Sequence, residues 1–279
     1  MKLIKPSVEI IKQEEYDLNH IFKFIELAGR TCYKSEDKIT EDSAKEFVDR
    51  MIKSGHTAML EHGTVYLTIP SVNMSDMVIY KYFLNPYSKI FIDRINTYIT
   101  TNYRVLIENN WLDDLKYLSN PNLFHPRRTT VKFICDRAVA NEFVRHRVFS
   151  FAQESTRYCN YSKDKFNNEL TFIIPCWTNI PEANYRDIFN PKEPDITLIP
   201  NEYAFINILR DIEKYYMGLT NNGWKAQEAR NVLPLSLKTE LIMTGFNTDW
   251  QRFFELRCAS NAHPQAKELA DMLKDKFNK

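Results

Sequence analysis

The chain has 279 residues, and its 37 lysines and arginines against 36 aspartates and glutamates give a formal net charge of +1 at pH 7. This near-neutral balance offers no general attraction to nucleic acid, so any recognition of an anion has to be local. A hydrophobic content of 44% without an uninterrupted apolar run of membrane length predicts a soluble globular protein and argues against a membrane protein.

Hydrophobic periodicity predicts helices and strands along the chain. Helices are expected near residues 19–30, 43–54, 202–217 and 263–277. Strands are expected at residues 64–69, 97–101, 129–135 and 170–174. The buried stripe of the helix near 202–217 is predicted to be Phe205, Ile208, Leu209, Ile212 and Tyr216. This pattern predicts an α+β fold, as a single domain over residues 1–279 with a mixed β-sheet flanked by helices.

Glycine and cysteine usage exclude some classes of protein. The chain has six glycines, and no two of them stand close enough to form Gly-x-Gly, so neither a Rossmann dinucleotide fold nor a P-loop is expected. The five cysteines are odd in number and include no Cys-x-x-Cys pair, which indicates reduced thiols and predicts a cytoplasmic protein. Residues 1–13 are typical of a short strand and not of a signal peptide.

Two local signals bound the helix near 43–54. Thr40 is predicted to cap its start, and Gly55 falls where a left-handed residue commonly ends a helix. The residues that follow read Gly55-His56-Thr57-Ala58-Met59-Leu60-Glu61-His62. His56 and His62 could form a metal pair, but no third and fourth ligand stands at metal-site spacing, so no metal site is predicted.

The densest set of anion-binding side chains follows the strand at 129–135. Asp136 is a good N-cap for the next helix, and the apolar stripe of that helix directs Arg145 away from the core. Polar residues then stand at fixed spacing: Arg145, His146, Arg147, Ser150, Ser155 and Arg157. Guanidinium groups suit phosphate, and serine hydroxyls with backbone N–H groups can fix its position. The pattern is also compatible with a solvated basic helix end followed by a serine turn.

This spacing, R-H-R-x2-S-x4-S-x-R, resembles the signature of the flavin-dependent thymidylate synthases. Three more segments resemble that family and stand in its order: Gly55 to His62, Gln227 to Pro234, and Phe253 to Gln265. The chain departs from the family at Ala58, where threonine is frequent. It departs again at Phe246-Asn247-Thr248, where many members have Asn-Ala-Arg.

Two stretches are longer than the resemblance requires. Residues 72–128 are predicted to be an insertion relative to compact members of the family, and inside it Thr97 to Tyr103 is expected to form a strand that leads into a helix. The five prolines between residues 175 and 200 predict a long irregular loop.

The resemblance implies an enzyme that methylates dUMP to dTMP. Methylenetetrahydrofolate would donate the one-carbon unit, NADPH would be the reductant, and hydride would be delivered through FAD without a cysteine nucleophile. The family also implies a homotetramer whose active sites are shared between subunits. No nucleic-acid or membrane partner is expected.

The resemblance also implies roles for individual residues. Arg257 would activate the uracil ring, and Arg230 would reach the nucleotide from a neighbouring subunit. The residues expected at the flavin are His56, Ala58, Glu61, Arg145, His146, Arg147, Gln153, Asn247, Thr248 and Arg252. The residues expected at the nucleotide are Glu142, Arg145, Gln153, Glu154, Ser155, Thr156, Arg157, Arg230 and Arg257. Arg257 should project from a rigid support, because Trp250, Phe253, Phe254 and Leu256 are predicted to form a buried stripe.

Other functions stay open on the sequence alone. A catalytically inactive homologue could bind a nucleotide or act as a scaffold. A nucleic-acid-binding module could use the Arg145 cluster, with Phe149, Phe151 and Tyr158 as stacking platforms. Cys159 is the tempting thiol nucleophile, but we expect it to be a small packing residue.

Overall fold

The structure is a computed structural model that describes residues 1–13, 15–70, 76–185 and 198–277. Within these residues the helices are α1 (Leu18–Tyr33), α2 (Ser43–Lys53), α3 (Asp76–Phe83), α4 (Tyr103–Glu108), α5 (Arg137–Phe143), α6 (Pro200–Asn221), α7 (Ala226–Ala229), α8 (Asn247–Arg257) and α9 (Pro264–Phe277). The strands are β1 (Lys2–Ile4), β2 (Ser7–Ile11), β3 (Thr64–Pro70), β4 (Lys89–Ile92), β5 (Asn96–Asn102), β6 (Arg128–Asp136), β7 (Ser150–Gln153), β8 (Thr171–Ile173), β9 (Ala183–Asn184) and β10 (Lys238–Phe246).

The described strands form three sheets. β2, β6, β10 and β7 lie in that order in an antiparallel sheet, and β3, β5 and β4 form a second antiparallel sheet. In the third sheet β1 pairs in parallel with β8 and antiparallel with β9. The predicted α+β class is confirmed. The strands are nevertheless divided among three sheets where one mixed sheet was expected, and the mixed pairing is confined to the sheet around β1.

The sheet of β2, β6, β10 and β7 is the central one, and α5, α8 and α9 cover one of its faces. Phe133 of β6 and Phe253 of α8 both meet Phe143 of α5, with ring centroids 5.0 Å apart in each pair. Trp250 is fully buried in the same cluster. Helix α1 packs against β7 and β10. This packing gives α5 and α8 a rigid base, because close-packed aromatic rings resist displacement.

The expected helices and strands are found within a few residues of their predicted positions, with local differences at their ends. Asp42, and not Thr40, is the N-cap of α2, and the Thr40 N–H donates to Ser43 Oγ at 2.9 Å. Gly55 has a φ of 72°, so the predicted left-handed end of that helix is confirmed.

Two side chains that were predicted to be buried are exposed. Ile208 is 58% exposed and Leu256 is 47% exposed. Two residues along a helix correspond to a rotation of about 200°, so Ile208 faces away from the buried Ile206, and Leu256 faces away from the buried Phe254. At these two positions, burial depends on which face of the helix the residue occupies, and not on the apolar character of its side chain.

The region predicted to be an insertion contributes α3, β4, β5 and α4. The expected strand leading into a helix is confirmed, because β5 ends at Asn102 and α4 follows directly. Of the loop predicted at 175–200, residues 186–197 lie outside the described residues, and Ala183–Asn184 pairs with β1 as a strand. No helix in the described ranges is long and apolar enough to cross a membrane. The single domain stays a prediction.

Candidate functional site

The arginine-rich turn lies between α5 and β7, at the edge of the central sheet. Asp136 caps α5 as predicted, since its Oδ1 accepts a hydrogen bond from the Val139 N–H at 2.7 Å. Its Oδ2 accepts another from Gln265 Nε2 at 2.6 Å, which ties α5 to α9. The helix ends at Phe143, and Arg145 beyond it is exposed, as the apolar stripe predicted.

Arg257 ends α8 and reaches back to this turn. Its Nε donates to His146 Nε2 at 2.9 Å, and its Nη2 donates to the Glu142 backbone oxygen at 2.8 Å. Its Nη1 forms an ion pair with the Glu142 carboxylate. The structure therefore brings together three of the residues expected at the site. A guanidinium has more N–H donors than these three contacts use, so donors remain for a bound molecule.

His146 is neutral at pH 7 in this arrangement. Burial and the adjacent charge of Arg257 lower the pKa of His146 from 6.5 to about 4. Because Nε2 accepts the hydrogen bond from Arg257, the ring proton is on Nδ1. A neutral imidazole can hold the guanidinium in place without opposing its charge.

The residues after β7 form a loop that is anchored through its backbone. The Glu154 N–H donates to the Glu240 oxygen at 2.9 Å, and the Ser155 N–H donates to the Cys32 oxygen at 2.9 Å. Arg157 is exposed, and its Nε lies 3.4 Å from Gln227 Oε1. The signature loop and the Gln227 segment, which are far apart in sequence, therefore meet in one chain.

Glu154 is 2% exposed, and its carboxylate is occupied inside the protein. It accepts hydrogen bonds from Tyr161 Oη and Lys238 Nζ, both at 2.9 Å. Lys238 also lies 2.6 Å from Glu240, which Lys34 reaches at 2.8 Å. Burial alone would raise the pKa of Glu240, but the neighbouring lysines outweigh it and hold that pKa below its ordinary value. This network fixes the start of the loop, and no local sequence pattern indicates it.

A second group surrounds the Gly55 segment. His56 and Ala58 are exposed, whereas His62 is 1% exposed and hydrogen-bonded through Nδ1 to Thr244 Oγ1 at 2.8 Å. Burial, with the charge of Arg128, lowers the pKa of His62 to about 3, so its ring is a neutral core group. Glu61 pairs with Arg104 of α4 at 2.5 Å, so the region predicted as an insertion contacts the segment directly.

Arg128 joins this group to the signature, and the sequence analysis did not identify it. Its Nη1 and Nη2 each donate to the Glu61 backbone oxygen at 3.1 Å, and Nη2 lies 3.5 Å from Ser150 Oγ. The pair Arg127-Arg128 at the start of β6 was the only available signal in the sequence. A cavity of about 420 Å³ lies beside it, lined in part by Tyr16, Tyr66 and Asn247.

The remaining expected residues lie on α8 and after α7. Asn247 Oδ1 accepts from Thr129 Oγ1 at 2.7 Å, and Thr248 Oγ1 accepts from Lys89 Nζ at 2.6 Å. Arg252 pairs with Glu255 at 2.6 Å, but both are more than 60% exposed, so the pair contributes little to stability. Arg230 is exposed. Arg257 and Arg157 have different partners: Arg257 contacts Glu142 and His146, and Arg157 contacts Gln227.

Three of the five thiols, those of Cys32, Cys135 and Cys159, are poorly suited to nucleophilic chemistry. Cys159 is 2% exposed, and burial, with the Glu154 carboxylate nearby, raises its pKa to about 12. Burial raises the pKa of Cys32 to about 11 and that of the fully buried Cys135 still further. A thiolate is therefore scarce at neutral pH. Phe149, expected as a stacking platform in the nucleic-acid alternative, is 5% exposed and cannot stack on a base.

The fold and the site place this chain in one class of protein: an α+β protein with a turn rich in arginine and serine at the edge of its central sheet. A family model described as thymidylate synthase complementing protein matches residues 96–279, which is more than half of the chain. The chain belongs to this family of enzymes, and the family expected from the four sequence segments is confirmed.

Several relatives are described as flavin-dependent thymidylate synthases. That of Corynebacterium efficiens is 22% identical over 249 residues, which cover 88% of this chain and 71% of the relative. That of Corynebacterium glutamicum is 20% identical over 283 residues, which cover 96% of this chain and 83% of the relative. That of Pyrococcus furiosus is 28% identical over 136 residues, which cover 49% of this chain and 48% of the relative.

A solved structure that aligns with most of this chain is the UMP/dUMP methylase PolB from Streptomyces cacaoi bound with 5-Br dUMP. It is 16% identical, with a TM-score of 0.43, over 99% of this chain and 92% of PolB. This likeness is too distant to transfer any residue or ligand to the site described above.

Proposed function

We propose that this protein methylates dUMP to dTMP, with methylenetetrahydrofolate as the one-carbon donor, NADPH as the reductant and FAD as the cofactor. The observation that carries the proposal is the clamp on Arg257 by Glu142 and His146, beside the signature turn. Family membership supports it, and so do the names of the relatives.

The donor set of this chain fits a flavin dinucleotide. Arg145 and Arg147 are exposed, and in the part of the chain that the structure describes no ion pair engages either of them. Guanidinium groups without carboxylate partners suit the phosphates of a dinucleotide. Bound FAD would supply the hydride. Arg145, Arg147, His56 and Asn247 would hold it, with the 420 Å³ cavity beside Asn247 as available volume.

Arg257 would act on the uracil ring. Its clamp holds the guanidinium still, and its unused N–H groups would face the ring edge on which negative charge develops during methyl transfer. A donor fixed before the reaction stabilises that charge without reorganisation. Lysine lacks the planar fork, so it would keep the charge and lose the geometry.

The loop of Ser155, Thr156 and Arg157 would hold the phosphate of dUMP. The side chain of Thr156 is buried, with 6% exposure, so its contribution would come from its backbone N–H. Arg157 is exposed beside Gln227, and Arg230 stands three residues further along that segment. We propose that Arg230 reaches the site of another subunit, in a homotetramer with shared sites.

The proposal is tested by separating the two half-reactions in Arg257→Lys and Arg257→Ala. Reduction of bound flavin by NADPH should largely survive. The half that consumes dUMP and methylenetetrahydrofolate should slow by about a hundred- to a thousandfold. Arg50→Lys, at the exposed end of α2, is the matched control. An oxidative half that runs at the wild-type rate in Arg257→Ala would remove Arg257 from the mechanism.

The same preparation distinguishes the alternative functions. A purified protein that is yellow, and that bleaches on addition of NADPH, is an active flavoprotein. An inactive nucleotide-binding homologue would bind dUMP without retaining flavin. A nucleic-acid-binding module would show salt-dependent affinity for polynucleotides.

A further inference from the structure

Lys89 contacts α8 where this chain departs from its family. Lys89 begins β4, and its Nζ donates to Thr248 Oγ1 at 2.6 Å. Its Nζ also lies 3.7 Å from Asp249 Oδ1 and 4.3 Å from the centroid of the Phe246 ring. Lys89 precedes residue 96, where the family match begins, so this lysine lies outside the matched part of the chain.

A second cation, Arg128, lies beside the Phe246 ring. The Arg128 guanidinium carbon lies 5.7 Å from the ring centroid, on a half-buried side chain that also lines the 420 Å³ cavity. Burial lowers the pKa of Arg128 to about 10, so it remains a cation at pH 7. Arg128 is also influenced by the Glu61 carboxylate, which pairs with Arg104. Among the described residues, the ion-pair partner of Lys89 is Asp249, at 3.7 Å, so its ammonium group is the cation here that a bound anion would pair with.

The position of Lys89 is not explained by helix stability. The ammonium group lies beside the first turn of α8, where the helix dipole is positive and a cation is disfavoured. Its nearest partner is a neutral hydroxyl, and its carboxylate partner is at 3.7 Å, too far for a direct hydrogen bond. The Lys89 side chain is 37% exposed, so a ligand can reach it.

We propose that Lys89 binds a phosphate group of the flavin dinucleotide, in place of the arginine that many family members carry where this chain has Thr248. The inference rests on the proposed function. Lys89 on β4 would place a positive charge where those members have the arginine guanidinium. The side chain of Thr248 is short enough to leave room for the Lys89 ammonium group. The phosphate of dUMP has the same chemistry, so the experiment includes both ligands.

The test is a set of equilibrium titrations with FAD, riboflavin and dUMP, followed by flavin fluorescence or calorimetry. Lys89→Met should weaken FAD binding by about ten- to a hundredfold, the range for one charge-assisted hydrogen bond. Riboflavin, which has no phosphate, should bind as it does to the wild type, and so should dUMP. Lys89→Arg should retain FAD affinity, and Lys116→Met, an exposed lysine in the same region, is the matched control.

Replacing Asp249 should change FAD affinity in the opposite direction from replacing Lys89. Asp249→Asn should tighten FAD binding, because the carboxylate competes with the phosphate for Lys89. If Lys89 served only to pair with Asp249, the Asp249→Asn and Lys89→Met variants would both lose stability, and neither would change FAD affinity. Thr248→Arg in the Lys89→Met background should restore FAD binding.

The outcomes separate this inference from the proposed function. Wild-type protein that binds no FAD overturns both. Wild-type protein that binds FAD, with unchanged affinity in Lys89→Met, overturns the inference alone. An equal loss of FAD and riboflavin binding, or a loss confined to dUMP, overturns it as well. If Lys89→Met fails to fold, Lys89→Gln and Asp249→Asn are measured instead. Unchanged FAD affinity in both of these variants overturns the inference.

Discussion

Gly245 is the position where the structure tolerates a side chain least, and Gly245→Ala should disturb the signature turn. Gly245 lies in β10 opposite Thr129 of β6. A Cβ built there would lie 2.5 Å from Phe149 Cε1 and closer still to its Cδ1, where an ordinary contact is 3.4–4 Å. Phe149 cannot easily retreat, since it is 5% exposed and its ring centroid is 4.5 Å from that of Trp250.

The expected cost follows from this overlap. Relief requires a ring displacement of about 1 Å in a close-packed core, and such overpacking typically costs about 1–3 kcal/mol. Alanine regains about 0.4–1 kcal/mol by restricting the unfolded chain. The midpoints of these two ranges give a net loss of about 1.3 kcal/mol of unfolding free energy. For a chain of this size that lowers Tm by about 3–5 °C. Phe149 directly precedes Ser150, so flavin affinity should fall as well.

Thermal unfolding and FAD titration of the same variant measure both effects. Gly218→Ala is the control, because nothing in the described residues lies within 4 Å of a Cβ at that position in α6. It should be stabilising by about 0.4–1 kcal/mol. A Gly245→Ala protein whose Tm equals or exceeds that of the wild type would refute the reasoning. So would a structure of the variant in which Phe149 has not moved.

Three further predictions concern His146, Cys159 and the pair of Arg157 and Arg230. The folded-state pKa of His146, about 4, lies below its ordinary 6.5, so its contribution to stability is present above pH 6.5 and is lost as pH falls toward 4. Urea unfolding from pH 7 to 4 should therefore show a smaller decline for His146→Gln than for the wild type; equal declines would contradict this. Cys159→Ser should keep dTMP formation in a turnover assay wherever it folds, and loss of turnover with dUMP binding intact would make Cys159 the nucleophile. When the inactive Arg157→Ala and Arg230→Ala variants are mixed and allowed to exchange subunits, some activity should return. A mixture that stays inactive after exchange would disprove the shared site.

The sequence by itself determined several helices and strands to within a few residues, and some of their boundaries, but not β7 or β10 of the central sheet. The capping of α5 by Asp136, the left-handed Gly55 and the exposure of Arg145 depend on residues within a few positions of one another. Short-range hydrogen bonding and periodicity are sufficient there. The family resemblance also depended on spacing within short segments.

Tertiary structure decided which of these elements meet. β1 pairs with β8 and β9, more than a hundred residues away, and this division into three sheets has no local signal. The internal position of the Glu154 carboxylate and the approach of Lys89 to Thr248 likewise depend on contacts between elements that are far apart in the chain. Side-chain periodicity reports which face of an element is apolar, but not which other element covers that face, because that choice is made by packing over the whole chain.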